Sequence, residues 1–98
     1  MLFHVTWQFI DMSEGSERRH VDVFARWQPP AGADFQAYYN FADNSGGVAI
    51  LDIDSPATLA RTTAPWVPWM RFSATPIEPA EQMIAIRREA VAFRDSVS

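Results

Sequence analysis

The sequence contains no cysteine and no lysine, and each absence excludes a kind of chemistry. Without cysteine the chain has no disulfide, no thiolate nucleophile and no cysteine-ligated zinc or iron–sulfur site. Without lysine it cannot form a Schiff base or use a lysine general base. The eight basic residues are therefore all arginine, against twelve acidic residues. The net charge of −4, with no basic stripe, argues against binding to nucleic-acid backbones.

Long apolar runs and a targeting signal are also missing. No stretch approaches the roughly 18 apolar residues of a membrane span, and Met1-Leu2-Phe3 has no basic lead-in. We therefore expect a cytoplasmic protein with no membrane partner. What the chain has in quantity is apolar surface, because 48% of its 98 residues are hydrophobic and 13% are aromatic. This length suits one domain with a single core, and the apolar surplus favours a homodimer.

The first ten residues predict the central strand of a small sheet. An apolar set and an uncharged polar set alternate there: Phe3, Val5, Trp7 and Phe9 against His4, Thr6 and Gln8. This period of two is typical of a strand with one apolar face. Three of the four apolar residues are aromatic, so we expect that face to lie beneath helices. The opposite, polar face is where a functional site is expected.

With the first strand included, the chain is predicted to follow a β-α-β-β-α-β order, and a terminal helix comes after it. The first helix carries His20, Phe24 and Trp27 on one side and stops before Pro29-Pro30. The other predicted elements are strands at 35–41, 48–53 and 70–75, a hairpin loop at 43–47, a capped helix at 56–64 and a last helix after Pro79. This is the ferredoxin-like plan of the α+β class, with an antiparallel sheet in spatial order 4-1-3-2.

The chain divides into two predicted parts. Residues 1–77 form the ferredoxin-like α+β domain, and residues 78–98 form a C-terminal helix. On this helix an apolar seam is formed by Met83, Ile86, Ala90 and Phe93, and Ile84 and Val91 widen it. Such a seam is best explained by packing on the domain or on a partner subunit.

Three strands are predicted to share the polar face of the sheet. They contribute His4, Thr6 and Gln8, then Gln36, Tyr38 and Asn40, then Arg71, Ser73 and Thr75. Two such faces closing on each other would enclose a small-molecule pocket. In it His4 would be the general acid or base, Tyr38 its partner and Arg71 the group that holds a carboxylate or enolate. Thr6, Gln8 and Asn40 would contact the ligand; the alternative is a solvated face or a polar dimer contact.

The remaining candidates are aromatic residues and histidines. Trp66 and Trp69 most simply plug the sheet edge or the subunit boundary, and the alternative is that an aromatic ligand stacks on them. His20 is interpreted as a packed or capping residue. With only two histidines and no carboxylate spacing around either, we expect no metal site. We also expect no cofactor, since there is no Gly-rich phosphate loop.

Several motifs resemble those of an uncharacterised bacterial domain-of-unknown-function family. They are the opening Met1-Leu2-Phe3-x-Val5-x-Trp7, the Gly46-Gly47 pair, the helix start from Asp54 to Leu59, Trp66 and Thr75-Pro76. More distantly, the chain resembles muconolactone isomerases at residues 1–5, 51–53 and 65–70. Both resemblances imply the dimeric α/β-barrel superfamily, in which two sheets face each other around a pocket. The His-Pro-Ser-Ser-Ile tail of the isomerases is absent, so only His4 has a counterpart among their catalytic residues.

Together these observations predict a small dimeric α/β-barrel protein that binds a small aromatic or hydrophobic molecule. It would act as an isomerase or monooxygenase that needs no cofactor. The alternative is a non-catalytic ligand-binding or protein-interaction module. The sequence leaves open whether the protein is an enzyme.

Overall fold

The fold was analysed in a computed structural model that describes residues 1–97. The elements are β1 (Leu2–Phe9), α1 (Glu14–Arg26), β2 (Ala33–Asn40), β3 (Gly46–Ile53), α2 (Pro56–Thr63), a 3-10 turn (Ala64–Trp66), β4 (Met70–Pro76) and α3 (Ala80–Ser96). The four strands form one antiparallel sheet in the order β2-β3-β1-β4. Counted from the other edge this order is 4-1-3-2. The predicted ferredoxin-like plan with a C-terminal helix is therefore confirmed.

The core lies on one side of the sheet, which we call the helix face because α1 and α2 lie over it. Val5 and Trp7 of β1 are only 2% and 8% exposed. Their neighbours on β3 are Ala49 and Gly47, and Leu51 extends the same buried layer. The opposite side, which we call the outer face, carries His4, Thr6 and Gln8. The predicted alternation of β1 is confirmed, and β1 is one of the two inner strands.

Gly46 and Gly47 lie in β3, whereas the sequence predicted them in the hairpin loop. The residue with positive φ in this turn is Asn44, at 66°. The glycines are required for a different reason, which is the close approach of β1. A Cβ atom on Gly47 would lie 2.2 Å from the Trp7 indole, and one on Gly46 would overlap the Trp7 carbonyl oxygen. The absence of side chains here lets Trp7 lie flat against the sheet.

Hydrogen bonds between residues close in the sequence mark where α1 and α2 begin. The backbone N–H of Ser13, just before α1, and the hydroxyl of Ser16, within α1, both donate to the Asp11 carboxylate. These bonds, the one from Ser16 first, hold the pKa of the Asp11 carboxyl below its usual value. The start of α2 is capped by Ser55, because the Ser55 hydroxyl accepts from the backbone N–H of Thr58 at 3.2 Å.

A bulge in β2 changes which side chains share a face. Phe35 pairs with Leu51, but the next paired residue is Ala37, opposite Ile50, so Gln36 is the extra residue. Beyond the bulge every side chain is on the opposite face from the one predicted by simple alternation. Tyr38 and Asn40 therefore lie on the helix face, and Tyr39 lies on the outer face. Their predicted placement beside His4 is wrong for this reason.

α3 projects away from the rest of the molecule. Its 17 residues correspond to a length of about 26 Å. The molecule measures 63 × 29 × 19 Å and has a radius of gyration of 17.9 Å, whereas a compact domain of this size has about 13 Å. Throughout Ala80–Ser96 the structure contains no buried residue. The C-terminal helix is thus present as predicted, and its apolar side chains are exposed except for the half-buried Met83.

Candidate functional site

The sheet separates the predicted site residues into two groups. His4, Thr6, Gln8 and Arg71 lie on the outer face, where His4 is opposite Thr75, Thr6 opposite Ser73 and Gln8 opposite Arg71 in the pairing of β1 with β4. Tyr38, Asn40 and Trp66 lie on the helix face, where they line a common cavity. Trp69 packs beside this cavity, with its ring centroid 6.4 Å from that of Trp66. One chain therefore does not bring His4 and Tyr38 together.

The cavity lies between α1, the end of α2 and the helix face of the sheet, and its volume is about 210 Å³. We call it the aromatic cavity, because eight of its lining residues are phenylalanine, tyrosine or tryptophan: Trp7, Phe9, Phe24, Trp27, Phe35, Tyr38, Trp66 and Phe72. Smaller apolar residues, among them Val5, Ala49 and Leu51, complete its floor. Of the helical residues that the structure describes, none in α1 is buried. Bulky rings on two facing surfaces meet without filling the space between them, which leaves the cavity.

The aromatic rings form a connected wall. Phe35 and Tyr38 stack at 5.1 Å with an interplanar angle of 21°, and the edge of the wall continues through Trp7, 5.5 Å from Tyr38 at 74°. On the helical side Trp27 and Trp66 meet at 5.4 Å and 80°. Offset and edge-to-face pairs of this kind contribute about 0.5–1.5 kcal/mol each beyond the area they bury. The wall is therefore a stable, mostly apolar surface.

A few polar groups interrupt this apolar wall. Thr62 and Thr63 line the cavity, but their hydroxyls already donate to the carbonyl oxygens of Thr58 and Leu59 in α2. The cavity also contains His20, Tyr38 and Asn40. Burial raises the pKa of the Tyr38 phenol, so at neutral pH it remains a hydrogen-bond donor. These groups can orient a ligand that carries one polar substituent.

The sequence predicts His20 to be a packed or capping residue, and its ring is packed between two other aromatic rings. Its centroid lies 5.5 Å from Phe9 and 6.1 Å from Trp69. It is also half-buried and lines the cavity, so it is the only imidazole among the cavity residues of the described chain. The sequence contains one signal that indicates this site. The helical stripe of His20, Phe24 and Trp27 faces a strand that is itself aromatic, which indicates an aromatic lining between α1 and the sheet.

The outer face has a different character. Val48 and Ile50 are half-buried there, next to Tyr39, whose side chain is 68% exposed. His4 pairs with Ile50 and Thr6 with Val48 across the β1–β3 ladder. The face is a shallow, open surface in a single chain. It could bind a ligand only if a second surface covered it.

Two further kinds of feature are absent from residues 1–97. No cluster of three or more histidine, aspartate or glutamate side chains in this part of the chain could hold a metal ion. Among the same residues, no helix combines the length and the apolar character needed to cross a membrane.

Comparison with known proteins shows the family but assigns no activity. No curated protein matches the chain. A family model described as "Domain of unknown function (DUF3303)" matches residues 1–91, which include β1 through β4 and most of α3. The sequence-based expectation of an uncharacterised family is confirmed. Because the match covers nearly the whole sequence, the chain belongs to the DUF3303 family.

Proposed function

We propose that the protein binds a small, planar and largely apolar molecule with one polar substituent in the aromatic cavity. The observation that carries this proposal is the composition of the cavity wall, which is aromatic over most of its extent and has a few hydrogen-bonding groups. Ligand sites in proteins have this composition. Side chains that served only as core would be expected to pack without leaving a space of this size.

The volume of the cavity limits the size of the ligand. A cavity of about 150 Å³ holds benzene, whereas drug-sized ligands occupy about 300–1,000 Å³. At about 210 Å³ the aromatic cavity suits one ring or two fused rings. A phenol or naphthol would place its ring among Trp7, Trp27 and Trp66. Its hydroxyl could then reach the polar groups of Tyr38 or Asn40.

Calorimetric titration with 2-naphthol, and with naphthalene as the analogue without a hydroxyl, tests this proposal. For a ligand of this size we expect a Kd of roughly 10 µM to 1 mM. We expect naphthalene to bind more weakly, by a factor of about two to ten, because one hydrogen bond contributes about 0.5–1.5 kcal/mol. No heat of binding and no change in tryptophan fluorescence with either compound would contradict the proposal.

Two substitutions on α1 localise the binding. Val21 lines the cavity and is 56% exposed, so Val21→Phe adds a ring at the cavity opening without disturbing the core. Ala25→Phe adds the same ring at an exposed position of α1 that does not line the cavity. We expect the first variant to lose most of its affinity for 2-naphthol and the second to keep it. Equal affinities would place the binding site elsewhere.

The protein is also proposed to be a homodimer of the α/β-barrel type, in which the outer faces of two sheets cover each other. Support comes from the apolar groups Val48, Ile50 and Tyr39 on that face, since such groups favour a covered surface. We expect Val48→Arg to shift the dimer–monomer equilibrium toward monomer in light scattering. Val67→Arg, at an exposed turn position, should leave it unchanged. A monomeric wild-type chain at all concentrations would refute this arrangement.

The catalytic roles predicted from the sequence depend on this dimer. Only between two sheets would His4 and Arg71 be enclosed, and Tyr38 would remain in the aromatic cavity. An isomerase or monooxygenase that uses His4 predicts a His4→Ala variant that folds normally but does not turn over a bound aromatic substrate. A non-catalytic module predicts that the same substitution changes only the stability of the dimer.

A further inference from the structure

α3 needs a partner that its own chain does not supply. The side chains of Ile86 and Phe93 are 42% and 69% exposed, and α3 contains no buried residue in the part of the chain described. Helical stability in proteins comes mostly from packing an apolar face against other elements. The family match extends to residue 91, so most of α3 lies within the residues that the family model covers. Its exposed face is therefore expected to have a function.

The apolar residues of α3 follow a heptad repeat. Four of them alternate at spacings of three and four, which corresponds to heptad positions a, d, a and d: Met83, Ile86, Ala90 and Phe93. Ile84 and Val91 lie at b positions, outside this seam. A narrow a/d seam is typical of a helix that packs against another helix rather than across a sheet. The small Ala90 at the middle of the seam would let two helices approach closely.

The charges beside the seam indicate what the other helix is. With Met83 at position a, Arg87 and Arg94 are at e positions and Glu89 is at a g position. In a parallel, in-register pair of identical helices, Glu89 of each copy faces Arg94 of the other, which gives two ion pairs. In an antiparallel pair the e positions face each other, so arginine would face arginine. The pattern therefore complements a second α3 in parallel orientation.

We infer that α3 pairs with α3 of a second copy as a short parallel coiled coil. The inference rests on the proposed homodimer but not on ligand binding in the aromatic cavity. The seam spans only about two heptads, fewer than the three to four of a sustained coiled coil. The α3 pair therefore acts together with another contact between the two copies, such as the outer faces of the sheets.

Single cysteines provide a direct test, since the chain has none of its own. Ala90→Cys places a thiol at a central a position, and the matched Ala85→Cys places it at a c position on another side of the same exposed helix. Each variant is equilibrated with reduced and oxidised glutathione and run on a non-reducing gel. We expect Ala90→Cys to form a disulfide-linked dimer of twice 11.1 kDa, and Ala85→Cys to remain at 11.1 kDa.

A second pair of variants tests the seam without oxidation. Ile86→Glu introduces a charge at a d position, and Ala92→Glu introduces the same charge at a c position. In light scattering we expect Ile86→Glu to shift the average mass toward 11.1 kDa and Ala92→Glu to keep the mass of the wild type. Circular dichroism of both variants checks that the domain is folded.

The outcomes separate this inference from the proposals on which it builds. If the wild type is dimeric but Ala90→Cys does not cross-link, or cross-links no better than Ala85→Cys, the helix pair is refuted and the dimer stands. If the wild type is monomeric, both the helix pair and the homodimer are refuted. Binding of 2-naphthol in the aromatic cavity is unaffected by either result.

Discussion

Replacing Gly47 by alanine tests how the floor of the aromatic cavity is built. The added Cβ would lie 2.2 Å from an indole carbon of Trp7 and 2.6 Å from the carbonyl oxygen of Tyr39. Ordinary contact begins at 3.4 Å, so the indole would have to retreat by about 1.2 Å. The carbonyl oxygen belongs to the β2 backbone next to β3 and cannot move independently of the sheet.

The size of the effect follows from two opposing contributions. Overpacking of a core by one extra carbon typically costs about 1–3 kcal/mol. Replacing glycine inside a strand by alanine also stabilises the folded state by about 0.5–1 kcal/mol, because the unfolded chain has less conformational freedom to lose. We therefore expect Gly47→Ala to lower the free energy of unfolding by about 1–2 kcal/mol. For a domain of this size the melting temperature should fall by roughly 5–15 °C.

Gly15→Ala is the matched control. Gly15 lies in the first turn of α1, and a Cβ there would have open space around it. This substitution should stabilise the protein, by up to about 1 kcal/mol. Urea unfolding monitored by tryptophan fluorescence and by circular dichroism measures both variants. If Gly47→Ala were as stable as Gly15→Ala, Trp7 would not lie over Gly47, and the described cavity floor would be wrong.

Three further predictions concern the site and the helices. Burial raises the pKa of Tyr38, so the unfolded chain releases the phenol proton at a lower pH than the folded chain does. The free energy of unfolding should therefore decrease as the pH rises above 10.0. An alkaline unfolding series in which Tyr38→Phe shows an equally steep decrease would contradict this. Ser55→Ala should lower the stability by about 1 kcal/mol in thermal unfolding, because it removes the hydroxyl that accepts from the backbone N–H of Thr58. Ser13→Ala should lower it much less, because the Ser13 side chain makes no capping hydrogen bond. Similar losses in the two variants would argue against this assignment of the caps. His4→Ala should keep its calorimetric affinity for 2-naphthol, because His4 lies on the face of the sheet opposite the cavity, and a large loss would show that the ligand binds on the outer face.

The order of elements could be predicted because several local signals agree. In β1 the alternation of aromatic and polar residues leaves one consistent interpretation, and Pro29-Pro30 and Pro65 mark the end of each early helix. The capping Ser55 and the helix-starting Pro56 predict where α2 begins to within a residue. Each helical crossover joins two strands that run parallel to each other, β1 to β2 and β3 to β4, so the right-handed crossover rule leads to one sheet order. The fold class needed no further information.

The composition of the site could not be predicted in the same way. Residues 35–41 alternate well enough to be interpreted as a regular strand, and nothing in their sequence indicates that Gln36 is unpaired. A bulge depends on how two strands match in three dimensions, and one extra residue moves Tyr38 and Asn40 to the other face. The sequence therefore contained the right residues for a site, such as Tyr38 and Trp66, but combined them with His4 and Arg71 on the wrong side of the sheet. The cavity itself results from incomplete packing of aromatic rings, which residue patterns do not specify.

Intermolecular nuclear Overhauser effects between 2-naphthol and methyl groups of the protein test the central claim most directly. The methyl groups of Val5 and Thr62 line the aromatic cavity, and those of Thr6 and Val48 lie on the outer face. If the ligand occupies the cavity, its ring protons should show contacts to Val5 and Thr62. Contacts to Thr6 and Val48 instead would contradict the proposal. They would place the ligand on the outer face, where the sequence alone predicts the site.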